Sequence, residues 1–300
     1  MSQLLFTGLS AFPLTPFRGG DIDEPSFTFF VEKLARSQVD SIAVLGSTGS
    51  YMYLSAEQRA RAVVLAAESA REKPLIVGVS DMSTCQVLSH VKVAEDIGAS
   101  GLLLAPVSYQ PLASDEVFEL YRTVGESTDL PIIVYDNPGT THFTFDLDLC
   151  ARLAELPGVV SIKIPPTAVA SGNPVEAISS MRQVIPDDVG LGISGDGAAA
   201  CGVAAVCDTW YSAVAGTLPD FALEIFDPFR RGDLKAGEEA SNKYQPLWTL
   251  YAECGGSVRV MAAIAELKGW VGRSCLPAPL QPLPDALQRK VENVLNQLEQ

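Results

Sequence analysis

The sequence predicts an α/β protein built as a (β/α)8 TIM barrel with a C-terminal helical extension. Eight short apolar runs alternate with segments of helical periodicity over roughly the first 230 residues, the pattern of a closed parallel barrel. The alternative is a doubly wound open sheet, but no Gly-x-Gly-x-x-Gly fingerprint follows the first run. We therefore expect residues 1–232 to form the barrel and residues 233–300 to form the extension.

The strand prediction depends on runs rich in Val, Ile, Leu and aromatic residues, each bounded by turn-forming residues. In chain order the predicted strands are Phe6–Phe12, Ser41–Leu45, Leu75–Val79, Gly101–Ala105, Pro131–Asp136, Val159–Ile164, Val189–Ser194 and Thr209–Val214.

The intervening segments carry signals of helix ends. Ser55, with Gln58 three residues later, predicts a capping box, and Ser83 and Ser114 are candidate caps of two further helices. Gly98 stands at the end of a helical pattern, where a left-handed cap is expected. After residue 232 the strand pattern stops and three helices are predicted, at Asp233–Glu253, Ser257–Gly269 and Asp285–Gln300.

Composition argues against several classes of partner and cofactor. The chain has 21 Lys and Arg and 36 Asp and Glu, a formal charge of −15, which disfavours nucleic acid and anionic membranes. No apolar run approaches the roughly 20 residues of a membrane-spanning helix, and Met1–Phe6 lacks the features of a secretory leader. Six cysteines without a CxxC pair or metal-ligand spacing predict reduced thiols in a cytoplasmic protein without metal or other cofactor.

A lysine near the end of a predicted strand is the first candidate for chemistry. Strict alternation along Val159–Ile164 points Lys163 into the barrel with Val159 and Ser161, and it points Val160 towards the helices. Burial lowers the pKa of a lysine, and a neutral amine can attack a carbonyl group. The alternative is a structural lysine that reaches solvent or pairs with a carboxylate.

Two further features fall at the same end of the predicted barrel. Tyr135 faces inward from the preceding strand, within reach of an amine on its neighbour, and its phenol can carry protons; alternatively, it only plugs the barrel mouth. Ser47 and Thr48 lie between glycines where the second strand turns into a helix. Hydroxyls and exposed backbone N–H groups suit an anion, although an ordinary glycine-rich turn has the same composition.

Four motifs together resemble the dihydrodipicolinate synthase / N-acetylneuraminate lyase family, and the resemblance covers nearly the whole chain. The stretch Gly46–Gly49 is similar to its GTTGE-type motif, Tyr135–Pro138 to its Y-N-x-P motif, Ile162-Lys163 to its I-K-x strand, and Ser194–Asp196 to its S-G-D motif.

The resemblance implies a class I, Schiff-base-forming aldolase. It implies that Lys163 forms an imine with a 2-oxo acid such as pyruvate, that Tyr135 transfers protons and that Ser47 relays them. It also implies that Thr48 holds the substrate carboxylate and that Tyr211 lines the pocket. A homotetramer or homodimer is implied as well, in which a tyrosine of the neighbouring subunit completes the relay.

The sequence departs from the family pattern at positions that bear on the substrate. Ser50 replaces a glutamate, Ser108 takes the place of the relay tyrosine with Tyr109 beside it, and Thr140 replaces an arginine that binds the second substrate in the synthases. A threonine cannot supply the charged, bidentate contact of arginine. We therefore predict weak or absent dihydrodipicolinate synthase activity. Substrate choice is expected to depend on Ser108, Tyr109, Thr140, His142 and Tyr211.

Three functions follow from these residues. The first is a metal-independent carbon–carbon lyase that works through an imine on Lys163. The second is a dehydratase or hydratase of 2-keto-3-deoxy sugar acids that uses the same lysine. The third is a non-catalytic protein that binds 2-oxo acids.

Overall fold

The computed structural model describes residues 6–170 and 172–300. Eight parallel strands close into a barrel in which each strand pairs with its neighbours in sequence, and the last strand pairs with the first. In chain order the strands are β1 Gly8–Ala11, β2 Ser41–Val44, β3 Leu75–Gly78, β4 Gly101–Leu104, β5 Ile132–Tyr135, β6 Val159–Ile164, β7 Gly190–Ser194 and β8 Thr209–Ser212. The predicted (β/α)8 TIM barrel with C-terminal helices is confirmed.

Helices cover the outside of the barrel and make up the C-terminal region. They are α1 Glu24–Arg36, α2 Ala56–Ala70, α3 Thr84–Asp96, α4 Ser114–Ser127, α5 Pro138–Thr141, α6 Leu147–Ala154, α7 Pro174–Arg182, α8 Ala199–Ala204, α9 Ala213–Thr217, α10 Pro219–Arg230, α11 Leu234–Lys243, α12 Gln245–Glu253, α13 Ser257–Leu267 and α14 Asp285–Leu298. A two-stranded hairpin, Phe17–Arg18 with Asp21–Ile22, precedes α1 and was not predicted.

The core has two layers because successive strand residues point to opposite faces. One layer joins the strands to the helices. The other fills the barrel and consists of Phe6, Phe12, Ala43, Ile76, Leu103, Ala105, Ile133, Tyr135 and Tyr211. The predicted inward direction of Ile133 and Tyr135 is therefore confirmed.

Three of the four predicted helix-end signals are confirmed. Ser55 and Gln58 form the reciprocal capping box of α2, the Ser83 side chain caps α3, and Gly98 has a left-handed backbone with φ +68°. The prediction for Ser114 was wrong by one residue, since Ala113 holds the cap position of α4. A boundary shift of this size is common when local signals overlap.

The end of β8 and the C-terminal helices differ from the prediction. The strand ends at Ser212 rather than Val214, because the Ser212 hydroxyl accepts a hydrogen bond from the Ala215 N–H and thereby caps α9. The single helix predicted over Asp233–Glu253 is two helices, α11 and α12, which meet at Tyr244 just before Pro246. Proline is favoured in a first helical turn and disfavoured inside a helix. The chain after residue 232 thus contains four helices rather than three.

An irregularity in β6 corrects the predicted alternation at its start. The register with β5 shifts there, so that Ile132 pairs with Val159 while Ile133 pairs with Ser161. Val159 joins the outer core and Val160 packs against the barrel interior, the reverse of the prediction. The extra residue of a bulge inverts the alternation only on one side of itself, so the prediction for Ser161 and Lys163 is unaffected.

Among the described residues, no helix is both long and apolar enough to span a bilayer. Of the leader prediction for Met1–Phe6, residues 1–5 lie outside the described residues. The division of the chain at residue 232 stays a prediction.

Candidate active site

Lys163 lies inside the mouth of the barrel in an aromatic cage. Its side chain enters from β6 directly opposite Tyr135 of β5, with which it is paired in the sheet register. The residue is 4% exposed, and Nζ lies 4.0 Å from the ring centres of both Phe12 and Tyr135 and 5.3 Å from that of Tyr211. This cage removes water from the amine without replacing its hydration shell.

The electrostatic consequence is a readily deprotonated lysine. Burial lowers the pKa of Lys163 to about 7, because the charged form loses hydration, while the negative charge of Asp196 acts in the opposite direction. A large share of the molecules therefore carries a neutral amine at neutral pH.

The Tyr135 hydroxyl belongs to a small polar network beside this amine. It lies 3.2 Å from Ser47 Oγ, and the Asn137 side-chain amide donates to both oxygens, at 2.9 Å to Tyr135 and 3.2 Å to Ser47. Burial raises the pKa of Tyr135, so its phenol keeps its proton at neutral pH. The network holds the Tyr135 hydroxyl in place and links it to the hydroxyl of Ser47.

These side chains border a cavity of about 260 Å³. Its floor contains Lys163 and Phe12, and its walls include Thr48, which is 6% exposed, at the turn after β2. A volume of this order holds a small organic acid. Lys163, Tyr135, Ser47, Thr48 and Tyr211, all predicted from the sequence, border this one cavity.

Tyr211 is held rigidly in the barrel wall. Its hydroxyl lies 2.9 Å from Ser161 Oγ, and a Cβ placed on Gly192 would lie 2.3 Å from the Tyr211 ring. Because any side chain at position 192 would clash with the ring, the glycine is needed for this ring position.

Asp196, just after the end of β7, is hydrogen-bonded to β8 and α9. Its buried carboxylate accepts hydrogen bonds from Trp210 Nε1 at 3.1 Å, from the Ser212 hydroxyl at 3.0 Å and from the backbone N–H groups of Ala213 and Val214 at 3.2 and 2.8 Å. Burial raises its pKa, although these donors act in the opposite direction.

The C-terminal helices also contribute to the cavity. Tyr251 of α12 donates to Asp196 Oδ2 at 3.3 Å and borders the Lys163 cavity, as do Gly256 and Ser257 at the start of α13. The C-terminal helices are therefore part of the site.

A second cavity, of about 290 Å³, lies beside the first and shares Ser47 with it. Thr140, which is exposed, lies in its lining. Residues Ser108, Tyr109 and His142 border neither cavity. Tyr109 is 87% exposed, and His142 is exposed with a left-handed backbone, φ 57°. The roles predicted for these three residues in substrate binding stay predictions.

Four residues of the site were not selected from the sequence. Asn137 and Asp196 lay within the quoted motifs, so their positions could have been selected. Phe12 ends a predicted strand, which is a weaker signal. Tyr251 carried no local signal because only the packing of α12 on the barrel brings it to the cavity.

Within the described ranges 6–170 and 172–300, no group of three or more His, Cys, Asp or Glu side chains is placed to hold a metal ion. The six cysteines are free thiols. Burial raises the pKa of Cys150, Cys207 and Cys275, which favours their unreactive thiol form.

Comparison with known proteins gives one consistent family. The model of the "Dihydrodipicolinate synthetase family" matches residues 5–298. A 4-hydroxy-tetrahydrodipicolinate synthase of Thermotoga petrophila is 29% identical over 296 residues, which span 98% of this chain and 99% of that protein. The enzyme of the same name from Rhodospirillum centenum is 29% identical over 264 residues, 87% of this chain and 88% of that protein.

Solved structures agree with the sequence comparisons. A crystal structure of dihydrodipicolinate synthase from Agrobacterium tumefaciens has a TM-score of 0.93 and 39% identity, with 98% of each chain covered. One from Thermotoga maritima has a TM-score of 0.90 and 27% identity, covering 98% of this chain and 99% of that one. The chain therefore belongs to the dihydrodipicolinate synthetase family of lyases.

Proposed function

We propose that this protein is a Schiff-base-forming lyase that acts on pyruvate or a related 2-oxo acid through an imine on Lys163. The observation that carries the proposal is the buried amine, with a pKa of about 7, in contact with Tyr135 and bordering a cavity of small-molecule size. The chain also belongs to a family with similar members that are named 4-hydroxy-tetrahydrodipicolinate synthase, which supports a lyase reaction.

The first stage is imine formation. The neutral Nζ of Lys163 adds to the carbonyl carbon of the 2-oxo acid, and the carbonyl oxygen takes up a proton to give a carbinolamine. The Tyr135 hydroxyl supplies the proton with which that oxygen leaves as water. Thr48 holds the substrate carboxylate from the turn after β2, where its side chain borders the cavity.

The second stage is cleavage. The protonated imine at carbon 2 accepts the electron pair of the bond between carbons 3 and 4 of the 2-oxo acid. This bond breaks and leaves an enamine on Lys163. The hydroxyl on the departing fragment loses its proton and becomes an aldehyde. Tyr135, a phenolate since it gave up its proton in the first stage, takes up this proton, and its hydrogen-bonding partner Ser47, 3.2 Å away, relays a proton to the enamine carbon. Water then hydrolyses the resulting imine and releases the shortened 2-oxo acid from Lys163. Condensation is the same sequence in reverse.

The residue at position 140 supports an activity other than that of a true dihydrodipicolinate synthase. Thr140 carries no charge and is exposed at the edge of the second cavity. A steady-state assay with pyruvate and aspartate semialdehyde tests this point, and robust turnover would overturn it. Product analysis on 2-keto-3-deoxy sugar acids separates carbon–carbon cleavage from dehydration, the alternative for the same lysine.

Borohydride trapping tests the central proposal. Reduction in the presence of pyruvate should add a reduced pyruvyl group to Lys163, found by peptide mass spectrometry, and Lys163→Met should remove the label. The matched control is Lys33→Met, since Lys33 is another partly buried lysine whose Nζ lies 3.8 Å from the Trp270 ring centre. Labelling that is absent, or that persists in Lys163→Met, would contradict the proposal.

We also propose a homotetramer or homodimer. Tyr109 is 87% exposed, and Tyr53 and Met52, near the second cavity, are 47% and 37% exposed. Burial of such side chains favours association. Light scattering after size-exclusion chromatography tests this, and a monomer at micromolar concentration would contradict it. The cytoplasmic location stays a prediction from the sequence.

A further inference from the structure

We propose that Arg259, at the start of α13, binds an anionic group of the substrate in the second cavity. The enzyme would then act on 2-oxo acids that carry a second carboxylate, several carbons away from the oxo group. This inference rests on the proposed function, because it assumes that the oxo group reacts with Lys163.

Charge is the first observation. Of the described residues that line the second cavity, Arg259 alone is charged. It is half-buried, and within the described ranges its guanidinium forms no ion pair at or below 4.0 Å, although the chain carries 36 acidic residues. Glu266 borders a small cleft on the other side of Arg259 but lies beyond that distance. An arginine left without a carboxylate beside a cavity suits a carboxylate from outside the chain.

An unpartnered hydroxyl is the second observation. Ser50 lies in the same cavity lining and is 3% exposed. Its Oγ has no hydrogen-bonding partner among the described residues. A buried polar group without a partner costs free energy. The Ser50 oxygen is closed off from the cavity in this conformation, so it reaches a bound anion only when its side chain turns towards the cavity. An anion held by Arg259 and accepting from the turned Ser50 hydroxyl would remove that cost.

Continuity with the reacting centre is the third observation. Ser47 lines both cavities and lies 3.2 Å from the hydroxyl of Tyr135, whose ring contacts Lys163 Nζ. A molecule joined to Lys163 can therefore extend past Ser47 into the second cavity. The apolar side chains of Val107, Val258 and Leu280 line part of that cavity, which suits a short methylene chain before the anionic group.

A pair of matched probes tests the inference. 2-Oxoadipate and 2-oxohexanoate have the same six-carbon chain, and both carry a carboxylate next to the oxo group. Only 2-oxoadipate carries a second carboxylate, at the far end of the chain. Borohydride labelling of Lys163 is measured as a function of the concentration of each probe and of pyruvate. The wild-type protein should reach half-maximal labelling at an about tenfold lower concentration of 2-oxoadipate than of 2-oxohexanoate, the effect of one charge-assisted contact.

The variants assign that preference to one side chain. Arg259→Gln should remove the preference and leave labelling by pyruvate unchanged, whereas Arg259→Lys should keep part of it. The control is Arg231→Gln, an exposed arginine in the turn after α10 that lines neither cavity; it should behave as the wild type.

The outcomes separate this inference from the proposed function. Failure of pyruvate to label Lys163 in the wild type would overturn the proposed function. Labelling by pyruvate without any preference for 2-oxoadipate, or with a preference that persists in Arg259→Gln, would overturn only the role of Arg259. Labelling by pyruvate but by neither longer acid would likewise overturn it, since the two cavities would then not act as one.

Discussion

The amine nitrogen of Lys163 lies 4.0 Å from the centre of the Tyr135 ring, and the two residues are direct partners in the register of adjacent parallel strands. The pair combines a lysine amine, which must be neutral to react, with a phenol, which must keep its proton until it donates it. The same burial produces both states, because it lowers the pKa of the lysine and raises that of the phenol. The reaction proposed here depends on that pairing.

The pH dependence of imine formation should report the amine directly. The folded-state pKa of Lys163 is lowered to about 7, so the neutral, reactive fraction rises as the pH increases through this value. We expect the rate of borohydride labelling with pyruvate to be half-maximal near pH 7 and to fall about tenfold per unit below it, whereas an exposed lysine would titrate near about pH 10.4. A profile that keeps rising up to pH 10 would contradict the burial of this amine.

Tyr135→Phe should separate imine formation from the complete reaction. The change removes the hydroxyl that contacts Ser47 and Asn137 but keeps the ring against Lys163. We expect kcat to fall about 10²–10⁴-fold, the usual contribution of a positioned proton donor, while slow labelling of Lys163 persists. Tyr211→Phe is the matched control, because its hydroxyl bonds Ser161 instead. Equal losses of kcat in both variants would argue against a proton-transfer role for Tyr135.

Asp196→Asn should change both stability and the pH profile. The carboxylate accepts four hydrogen bonds from residues of β8 and α9, and an amide group would face one of these donors with a donor of its own. We expect a loss of about 2 kcal/mol in the free energy of unfolding, measured in urea. Because the Asp196 charge raises the pKa of Lys163, its removal should also move the labelling midpoint to lower pH. A midpoint that moved upward would contradict this coupling.

Asp136→Asn should stabilise the protein, and more so at high pH. Burial raises the pKa of Asp136 from 3.8 to about 7, and Oδ1 has no partner among the described residues. Ionisation of Asp136 therefore costs more free energy in the folded state than in the unfolded state. The resulting loss of stability begins above pH 4 and is complete above pH 7. Allowing for partial hydration, we expect a gain of about 2 kcal/mol at pH 8 and a smaller one at pH 5. Equal gains at both values would indicate a packing effect instead.

The sequence alone was sufficient for the barrel and for its central pair. Strand alternation is a local property that sets which residues share a face, and the bulge at the start of β6 left the predicted direction of Lys163 unchanged. Parallel strands of a closed barrel end at one face, so the hydroxyls of Ser47 and Thr48 could be placed at the same mouth. The capping box of Ser55 and Gln58 was equally local. The start of β6 was not predicted, because a bulge depends on how two strands fit together.

The tertiary structure alone decided the contacts between residues that are far apart in the sequence. Asn137, which also donates to Tyr135, donates to Ser47, 90 residues earlier in the sequence, and Tyr251 reaches Asp196 from the C-terminal helices. The pKa of Lys163 also belongs to this class, since its cage contains Phe12 just after β1, Tyr135 of β5 and Tyr211 of β8. Residue type and alternation set the direction of a side chain, but dehydration and a neighbour's charge depend on all the atoms packed around it.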